Sequence, residues 1–366
     1  MKQSILASRP GDLTVAWAQQ VVDRHNADTA VSNVDVVAVD VGTTTRVCVA
    51  VEHDGPDSLP SRWFVKLPSL AWRAKTITAL PQLLHTEVRF YNELAQSVPL
   101  NKPICLAAQS RFGWGATLVL ADVAEFDGIA SAASDTLTFE QAVLVVEQLA
   151  HCHARFWNSV NNDPNYRWLA GPVRVLEDFL GTVLAVPLMK RGLRQAGTLI
   201  PPVLHASAVH YARHRRSAMR FLSDAPQTLV HHDCHPGNLF WNKDRSKVGF
   251  LDWQLVRVGE GVSDVAYFLS TALSPEMRRL HEAELLAKYA QALADNGVAG
   301  VDNDLLMQRY RVHLVYAFEA MIVTLAVGGM MNLDCNLELI RRTAAAVEDL
   351  DAFSAVRIKA LGGRSF

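Results

Sequence analysis

Strand-like and helical patterns of apolar residues are segregated along this chain, and this division constrains its fold more than any other feature. Between residues 34 and 68, three short runs rich in β-branched residues are separated by Gly, Pro, Asp and Ser, a pattern typical of an antiparallel meander. Residues 116–123 form one more apolar run of strand length. From Thr138 onward the apolar residues recur at helical spacing almost throughout. The sequence therefore predicts a small N-terminal sheet followed by a mainly helical region.

Helices are expected on both sides of the predicted strands. One helix over residues 13–24 follows the candidate N-cap Asp12, and another is expected over residues 82–96. Thr138, followed three residues later by Gln141, is a capping-box signature that opens a further helix. Later helical patterns cover residues 173–184, 202–222, 275–296, 304–327 and 337–355. Residues 229–255 interrupt this series with two predicted short strands or loops, which makes them the candidate catalytic segment.

Composition excludes several classes of protein. A chain of 366 residues that is 50% hydrophobic and 20% charged is long and apolar enough for two lobes with sizeable cores. Its formal net charge of −2 disfavours a dedicated nucleic-acid-binding protein. Five cysteines without a CxxC spacing favour a reducing compartment, and the N-terminus does not read as a signal peptide. Residues 316–331 are too short and interrupted for a membrane span and indicate a buried helix. We expect a cytoplasmic protein without membrane or nucleic-acid partners, and the oligomeric state stays open.

Three oxygen-bearing side chains stand out in the interrupting segment. Asp233 lies in the run Val-His-His-Asp-Cys-His-Pro-Gly-Asn, Asn238 follows it by five residues, and Asp252 comes fourteen residues after Asn238. Such oxygen ligands suit Mg²⁺, which usually takes one or two carboxylates together with water and substrate phosphates. Phosphoryl transfer uses this set: one Asp orients or deprotonates the accepting hydroxyl, while an Asn and a second Asp hold the metal.

This segment resembles the catalytic region of the aminoglycoside phosphotransferase and choline kinase superfamily, and most closely its ecdysteroid-kinase-like branch. The motifs of that branch, approximately HGDxHPGN, IDWQ and DxAYFL, correspond to residues 231–238, 251–254 and 264–269. The resemblance covers most of the chain in order and is specific over residues 229–269. It implies an α+β, protein-kinase-like fold with two lobes. Residues 1–123 would form an N-lobe around a five-stranded antiparallel sheet, and residues 124–366 a helical C-lobe.

The resemblance also implies a role for each motif residue. Asp233 would be the catalytic base or would orient the acceptor hydroxyl, and His231 would brace the catalytic loop. Asn238 and Asp252 would be Mg²⁺ ligands, and Asp264 would tie the loop to the following helix. One position departs from the family pattern, because His232 stands where Gly is usual. A larger side chain there would reshape the loop backbone or face the acceptor pocket.

Two other interpretations of residues 231–238 remain open at this point. The segment is also compatible with a polar structural loop, and it contains the potential zinc ligands His231, His232, Cys234 and His235. Four ligands within five residues do not match the usual pairs of zinc ligands on separate elements, and Asp233 and Asn238 would then have no use. Asp264 alone, next to Ser263, is equally compatible with the start of a helix.

The upstream half is expected to hold the nucleotide. Lys66 ends the third predicted strand, where kinases place a lysine against the α and β phosphates, and Glu87 is the candidate helix carboxylate that holds it. A solvated lysine and an exposed helix glutamate are the simpler alternatives. The turn Gly42, Thr43 and Thr44 lies where a phosphate-covering loop is expected, although an ordinary hairpin turn fits the same residues. The backbone of Ala121 and Val123 would meet adenine at the hinge.

Taken together, the residues and the resemblance predict a phosphotransferase that uses ATP and Mg²⁺ and moves the γ-phosphoryl group to a hydroxyl of a small molecule. The alternative is a pseudokinase that binds nucleotide as a sensor or interaction module. Acceptor choice is expected in residues 173–221 and in the last three helices, where apolar residues accompany the cationic run Arg213, His214, Arg215 and Arg216. No acidic run suits a polycation, which favours an uncharged or partly apolar alcohol over an aminoglycoside, although an antibiotic acceptor stays open. His153, in a helix similar to the one before the catalytic loop of these kinases, is expected to pack there or to contact the acceptor.

Overall fold

Five antiparallel strands form one sheet in the N-terminal part of the chain. The computed structural model describes residues 4–70, 83–111, 115–160, 163–222 and 225–360. Its sheet has the order β1-β2-β3-β5-β4, with strands β1 (Val31–Val41), β2 (Thr44–His53), β3 (Arg62–Pro68), β4 (Cys105–Arg111) and β5 (Gly115–Ala121). The predicted meander and the strand near residue 116 are confirmed. Strand β4 is missing from the predicted runs because its sequence, Cys-Leu-Ala-Ala-Gln-Ser-Arg, contains no β-branched residue.

One face of this sheet packs on helix α1 (Val15–Val22). Alternate residues of the central strands are buried there, and Trp17 of the helix meets Trp63 of β3 edge to face with the ring centroids 6.0 Å apart. The predicted cap of this helix is wrong. The Oγ1 atom of Thr14 accepts the Trp17 amide, whereas Asp12 ends a preceding 3₁₀ turn and accepts the Ser8 amide at 2.9 Å. Thr14 adopts the extended backbone directly before the helix that capping requires.

The other face of the sheet packs on helix α2 (Leu83–Arg89). This helix lies within the predicted residues 82–96, of which Gln82 lies outside the described residues. After Arg89 the backbone continues as a π turn (Phe90–Leu94) and a 3₁₀ turn (Ala95–Ser97). π turns are rare and often occur at functional sites. Here the turn buries Phe90 against the segment that carries Asp252.

The C-terminal part is mainly helical. Its helices are α3 (Phe139–Arg155), α4 (Pro172–Ala196), α5 (Pro202–Leu222), α6 (Val262–Ala272), α7 (Pro275–Asp295), α8 (Asn303–Val327), α9 (Leu333–Asp349) and α10 (Ala352–Ala360). The capping box predicted at Thr138 and Gln141 is confirmed, because each side chain accepts the backbone amide of the other residue. Helix α8 is long and apolar enough to cross a membrane by length and composition, but 67% of its most apolar window is buried in the protein.

Two predicted helix boundaries are wrong. Helix α4 does not end near residue 184 but runs through Pro187 to Ala196, because Ala185, Met189 and Leu193 continue its buried face beyond the proline. The pattern over residues 337–355 corresponds to two helices, α9 and α10. They are separated at Asp351, which has a left-handed φ of 44° that a helix cannot continue through.

Short strands interrupt the helices around the predicted residues 229–255, but the described chain has four there instead of two, and a fifth lies earlier, at residues 129–130. Strands β6 (Ile129–Ala130), β8 (Leu239–Trp241) and β9 (Val248–Phe250) form one small sheet, and β7 (Thr228–Val230) pairs with β10 (Arg257–Gly259). The loop between β7 and β8 contains Asp233, and the loop between β9 and β10 contains Asp252. We call them the catalytic loop (residues 231–238) and the metal loop (residues 251–256). Antiparallel pairing of β8 with β9 brings the two loops together.

Candidate active site

Asp233 is held in a fixed orientation at the centre of the catalytic loop. Its Oδ1 accepts a hydrogen bond from the Tyr267 hydroxyl at 2.8 Å, and its Oδ2 accepts one from Asn238 Nδ2 at 3.0 Å. Burial, and after it the Asp233 charge, raises the pKa of Tyr267 well above its ordinary value. Tyr267 therefore stays protonated as a donor. Two donors on one carboxylate leave the side chain little freedom to rotate.

One buried carboxylate accepts hydrogen bonds from the backbone of the catalytic loop. Asp264, at the start of α6, accepts the amides of His231 and His232, both at 2.7 Å. Behind it, His153 lies 3.3 Å from Asp264 through Nε2 and 2.8 Å from the Tyr289 hydroxyl through Nδ1. These contacts agree with the expectation that Asp264 connects the catalytic loop to the following helix. They also place His153 behind the loop with both ring nitrogens engaged, which does not favour a contact with the acceptor.

His231 links the two loops. Its Nε2 donates to the Leu251 carbonyl at 2.8 Å, and its Nδ1 accepts the Asp233 amide at 3.3 Å. The ring also lies 4.6 Å, centroid to centroid, from that of Trp253. This geometry fits the bracing role expected of His231, and no proton donor or acceptor position of the ring is left for a reacting group.

His232, at the position where glycine was expected, has a left-handed backbone with φ of 70°. That conformation suits glycine and is costly for other residues. Its ring stacks on Tyr316 of α8 with centroids 4.2 Å apart. Burial, followed by the positive charges of Arg257 and Arg174, lowers the pKa of His232 well below its ordinary value, so the ring is neutral. The larger side chain therefore leaves the glycine-like backbone intact and fills the space beside Asp233.

Lys66 joins the two lobes through the metal loop. Its ammonium lies 2.8 Å from both carboxylate oxygens of Glu87 on α2 and 3.0 Å from Asp252 Oδ1. The predicted pairing of Lys66 with Glu87 is confirmed, and both side chains are buried, which excludes the solvated alternatives. The Glu87 carboxylate also accepts the Trp253 amide at 3.2 Å. Trp253 in turn stacks on Phe90, with centroids 4.2 Å apart and planes 6° from parallel.

The two carboxylates of this cluster differ in pKa, because both share the single ammonium of Lys66. Burial lowers the pKa of Lys66, but Asp252 and Glu87 together raise it by more. Burial also raises the pKa of Glu87 to about 7, against the opposite effect of Lys66. For Asp252 burial raises the pKa, and Lys66 then lowers it to below its ordinary value. Asp252 is therefore the carboxylate that stays ionised, and Glu87 titrates near neutrality.

The donor set beside this cluster fits a hard cation. In the described part of the chain, the Asp252 carboxylate has Lys66 as its only ion-pair or hydrogen-bond partner, which leaves oxygen lone pairs available. Asn238 uses Nδ2 for the bonds to the carbonyl and carboxylate of Asp233, so its Oδ1 remains for a metal. Carboxylate and amide oxygens are ligands that Mg²⁺ accepts.

The zinc interpretation is not supported. Within the described ranges, which include residues 231–235, no group of three or more His, Cys, Asp or Glu side chains is placed to hold a metal ion. His231 is committed to Leu251 and Asp233 as described above. Burial raises the pKa of the Cys234 thiol well above its ordinary value, which disfavours the thiolate that zinc binds.

The turn between β1 and β2 is a closed hairpin. Gly42 donates its amide to the Thr44 carbonyl at 2.9 Å, and its own carbonyl accepts the Ser69 hydroxyl at 2.7 Å. Thr43 lies between them, and Thr44 is buried. The register of β2 and β3 pairs Arg46 with Lys66, so the turn lies two residues beyond the lysine on the neighbouring strand. This is where a phosphate-covering loop would lie, although contact of Gly42, Thr43 and Thr44 with phosphate stays a prediction.

The hinge residues offer fewer backbone groups than the sequence suggests. The Ala121 amide already donates to the Ile104 carbonyl at 2.8 Å, and the Val123 carbonyl accepts the Gly128 amide at 2.8 Å. Neither the Ala121 amide nor the Val123 carbonyl is therefore left for the contact with adenine that the sequence predicts. The apolar run of residues 116–123 predicts that Val123 belongs to the strand, but Val123 begins a short 3₁₀ turn instead.

Several residues of the site were not identified from the sequence. Tyr267 belongs to the quoted motif, and its spacing of three residues from Asp264 on one helix could have indicated that both face the loop. Arg46 lies close enough to lower the pKa of Asp252, yet it is an ordinary strand residue in the sequence. Arg174 and Arg257, which meet at Glu177 beside His232, come from α4 and β10 and had no common signal.

Comparison with known proteins places this geometry in context. A family model described as the phosphotransferase enzyme family (APH) matches residues 38–300, which is more than half of the chain. An ethanolamine kinase of Plasmodium vivax is similar with a TM-score of 0.53 at 14% identity, over 94% of this chain and 91% of that one. A choline kinase from Cryptosporidium parvum has a TM-score of 0.52 at 12% identity, over 88% and 90%.

The GDP complex of an aminoglycoside 2'-phosphotransferase-IIIa has a TM-score of 0.51 at 15% identity, over 90% of this chain and 98% of that one. At such identities the similarity shows the fold alone, and it confirms a two-lobed α+β fold like that of the kinases. None of the curated proteins compared with the chain matches it.

Proposed function

This chain belongs to the phosphotransferase enzyme family, and on that premise we propose that it transfers the γ-phosphoryl group of ATP to a hydroxyl group of a small molecule. The observation that carries the proposal is the Lys66 ammonium, which contacts Glu87 at 2.8 Å and Asp252 at 3.0 Å. This contact joins a strand and a helix of the N-lobe to the metal loop of the C-lobe. Kinases hold their phosphate-binding lysine in this way, with a helix glutamate and the aspartate of the metal site both in place.

On the nucleotide side, Lys66 binds the α and β phosphates while Glu87 fixes the position of its ammonium. The turn at Gly42, Thr43 and Thr44 covers the phosphates from the adjoining strands. Arg46, whose charge acts on Asp252, adds a second positive group near the transferred phosphoryl. Catalysis of this kind depends mainly on positioning and on charge stabilisation.

On the acceptor side, Asp233 aligns the hydroxyl and accepts its proton as the hydroxyl oxygen bonds to the γ-phosphorus and the bond to the β-phosphate oxygen breaks, which releases ADP. Tyr267 and Asn238 hold the two carboxylate oxygens of Asp233, so the attacking oxygen meets a base that is already oriented. Bound Mg²⁺, held by Asn238 and Asp252, would neutralise charge on the phosphate oxygens. Asp264 and His231 act through the loop backbone and do not touch the reacting atoms.

The acceptor that we propose is an uncharged or partly apolar alcohol, of the kind used by the ecdysteroid-kinase-like branch. Apart from Asp233, the carboxylates whose charges act on Tyr316 are already paired: Glu177 with Arg174 and Arg257, and Glu319 with Arg215. In the described part of this pocket, neither carboxylate is left unpaired for a cationic acceptor. Choline, ethanolamine and aminoglycosides are cations, and they suit this pocket poorly.

The test is ATP consumption over a panel of hydroxylated compounds in the presence of Mg²⁺, read out as a mass gain of one phosphate. We expect turnover with at least one alcohol, and its loss in Asp233→Asn with nucleotide binding retained. Asp244→Asn is the matched control, because this exposed carboxylate lies in the β8–β9 turn outside the site. If Asp233→Asn consumes ATP like the parent, the base is misassigned.

The same proteins separate an enzyme from a pseudokinase. A pseudokinase would bind ATP, show a thermal shift with nucleotide and turn over none of the panel. Dependence on metal gives a further check, since the ATP-induced thermal shift should require Mg²⁺ and should weaken in Asp252→Asn. A shift that is equal with and without Mg²⁺ would remove Asn238 and Asp252 as metal ligands.

A further inference from the structure

The charge of this protein is distributed very unevenly. Residues 172–222, which form the α4–α5 hairpin, contain eight Lys and Arg but only two Asp and Glu, a net charge of +6. The whole chain has a formal charge of −2, so the remaining residues carry −8. One hairpin is thus strongly basic on an otherwise acidic protein.

Most of these cations face solvent. Exposed members are Lys190, Arg191 and Arg194 on the second half of α4 and Arg213, Arg216 and Arg220 on α5. None of these six forms an ion pair with an acidic side chain of the described ranges. The other two cations, Arg174 and Arg215, point inward to Glu177 and Glu319. The cationic run of the sequence is therefore divided: Arg215 is structural, and its neighbours form a surface.

The first half of α4 exposes apolar side chains instead of polar ones. Val175, Phe179 and Val183 follow one another at helical spacing of four residues and are 64%, 61% and 56% exposed. Leu176 and Leu184 flank them, also exposed. The opposite face of the same helix is the one that packs on α8, through residues such as Gly192. The apolar stripe is therefore an outer face that the described chain leaves uncovered.

The apolar and basic features lie side by side. The two helices are adjacent and antiparallel, and Gly181 of α4 lies against the Arg215 guanidinium of α5, 3.3 Å from where a Cβ would be. Gly181 lies on the side of α4 opposite Phe179, so the apolar stripe faces away from α5. On α4 itself, Lys190 and Arg194 follow Val183 by seven and eleven residues, which places them on the face that carries the stripe. At the hairpin turn, Leu199 and Val203 add two more exposed apolar side chains.

We propose that the exposed face of α4, with its apolar stripe and its cations, binds the surface of an anionic lipid bilayer. Helices that lie in a membrane interface combine an apolar stripe, which enters the acyl boundary, with Lys and Arg that meet anionic headgroups. A protein expected in the cytoplasm meets a leaflet of negative surface potential. Whether any helix spans a membrane does not bear on this mode, since an interfacial helix lies in the plane of the membrane surface. The proposal is independent of the phosphotransfer reaction.

Two other occupants fit less well. Single-stranded nucleic acid binds basic surfaces through stacking on aromatic side chains, and the apolar stripe offers Phe179 among aliphatic residues. A second copy of the chain would bring two hairpins of charge +6 together, which like-charge repulsion opposes. The surface combines exposed aliphatic side chains with cations. An anionic bilayer offers acyl chains to the first and charged headgroups to the second.

The experiment is co-sedimentation of the full chain with vesicles of phosphatidylcholine alone and of phosphatidylcholine mixed with phosphatidylglycerol. We expect binding to the mixed vesicles that falls as salt is added, and little binding to phosphatidylcholine alone. Phe179→Ser should lower the partition coefficient about tenfold, the loss expected for one buried aromatic side chain. Lys190→Gln and Arg194→Gln should each lower it about fivefold.

Matched controls lie elsewhere on the surface. Leu280→Ser removes an apolar side chain of α7 that is 73% exposed, and Lys243→Gln removes an exposed cation of the β8–β9 turn. Neither should change vesicle binding. The proposal is overturned if the parent does not bind mixed vesicles, or if hairpin and control variants behave alike. Binding to a mixed-sequence DNA in place of vesicles, or a dimer in sedimentation velocity that Phe179→Ser abolishes, would also overturn it.

Discussion

The catalytic loop and the metal loop are neighbours, but they are held by different lobes. The catalytic loop takes its support from the C-lobe: Asp264 accepts two of its amides, and Tyr267 on the same helix fixes Asp233. The metal loop reaches into the N-lobe, where Lys66 binds Asp252 and Phe90 stacks on Trp253. Two hydrogen bonds link the loops: His231 donates to the Leu251 carbonyl, and the Leu251 amide donates to the Asn238 carbonyl at 2.8 Å.

This difference separates two tasks of a phosphotransferase. Asp233, the proposed base, is oriented by contacts within the C-lobe, so its geometry does not depend on how the lobes meet. Lys66 and the proposed metal ligand Asp252 are aligned only when the lobes are in contact. We expect variants that disturb Asp233 to lower kcat with nucleotide affinity intact, and variants of the metal loop to lower nucleotide affinity as well.

The largest effect is expected from Lys66→Met, which removes the contact between the lobes. Two buried carboxylates would lose their counter-charge, a change that typically costs about 3–5 kcal/mol of unfolding free energy. The catalytic rate should fall about 10²–10³-fold with the loss of a charge-stabilising donor. Denaturant unfolding and steady-state kinetics measure the two effects.

The double variant Lys66→Met with Glu87→Gln is the control for stability. It removes one of the two unpaired charges, so it should be more stable than Lys66→Met alone while remaining inactive. Equal stability of the single and double variants would show that the Lys66–Glu87 pair is not coupled in folding.

Asp264→Asn should lower kcat about 10–100-fold, because the amide NH₂ would face one of the two loop amides that Asp264 now accepts. Nucleotide affinity should stay unchanged, since Lys66 and the metal loop make no contact with this residue. Steady-state kinetics and nucleotide titration give both values. A parallel fall in nucleotide affinity would contradict the separation of the two loops.

The pH dependence reports on Glu87, whose pKa is raised to about 7. Its ionised form, which holds Lys66, predominates only above that pH, so kcat/KM for ATP should rise with pH up to about 7, approaching tenfold per unit below it.

The free energy of unfolding should instead fall as the pH rises, because of the same raised pKa of Glu87. A carboxyl with a raised pKa in the folded state stabilises it most at low pH, and this contribution is lost as pH rises from the ordinary value of 4.5 towards 7.

Glu87→Gln tests both parts of this prediction, because it cannot titrate. The variant should lose the rise in kcat/KM and flatten the stability profile between these pH values. If its profiles follow those of the parent, another group is responsible for the pH dependence.

Phe90→Leu removes the stack on Trp253, worth about 0.5–1.5 kcal/mol beyond the buried area. Affinity for Mg²⁺-ATP should fall a few-fold because the metal loop loses its N-lobe contact. Phe156→Leu, at the end of α3, is the control: it also removes a buried ring, but in the C-lobe. Isothermal titration of the two variants should differ, and equal losses would remove the special role of Phe90.

The smallest effect is expected from His232→Gly. Glycine relieves a left-handed backbone, which costs other residues about 1–2 kcal/mol, but it loses the Tyr316 stack, worth about 0.5–1.5 kcal/mol. Stability should therefore change by less than about 1 kcal/mol. His232→Ala loses the stack without relieving the backbone and should be clearly less stable. An acceptor KM that changes in both variants would place the ring beside the acceptor.

Much of the fold could be predicted because its helices and strands depend on local sequence patterns. Strand alternation, helical spacing and the capping box at Thr138 depend on residues that are close in sequence, and these predictions are confirmed. The errors occur where local pattern is weak or overridden. Strand β4 forms because β5 pairs with it, and α4 continues through Pro187 because its buried face continues to pack.

The candidate site divides in the same way. The motif residues Asp233, Asn238, Asp252 and Asp264 could be identified from the sequence, because their spacing within one segment is informative. Three other features depend on contacts between distant parts of the chain: Tyr267 holds Asp233, His232 adopts a glycine-like backbone, and Glu87 lies next to the Trp253 amide, 166 residues away. The α4–α5 surface is also a tertiary feature. Its apolar spacing is the same whether the face is buried or exposed, and only the packing of α4 on α8 determines which face meets solvent.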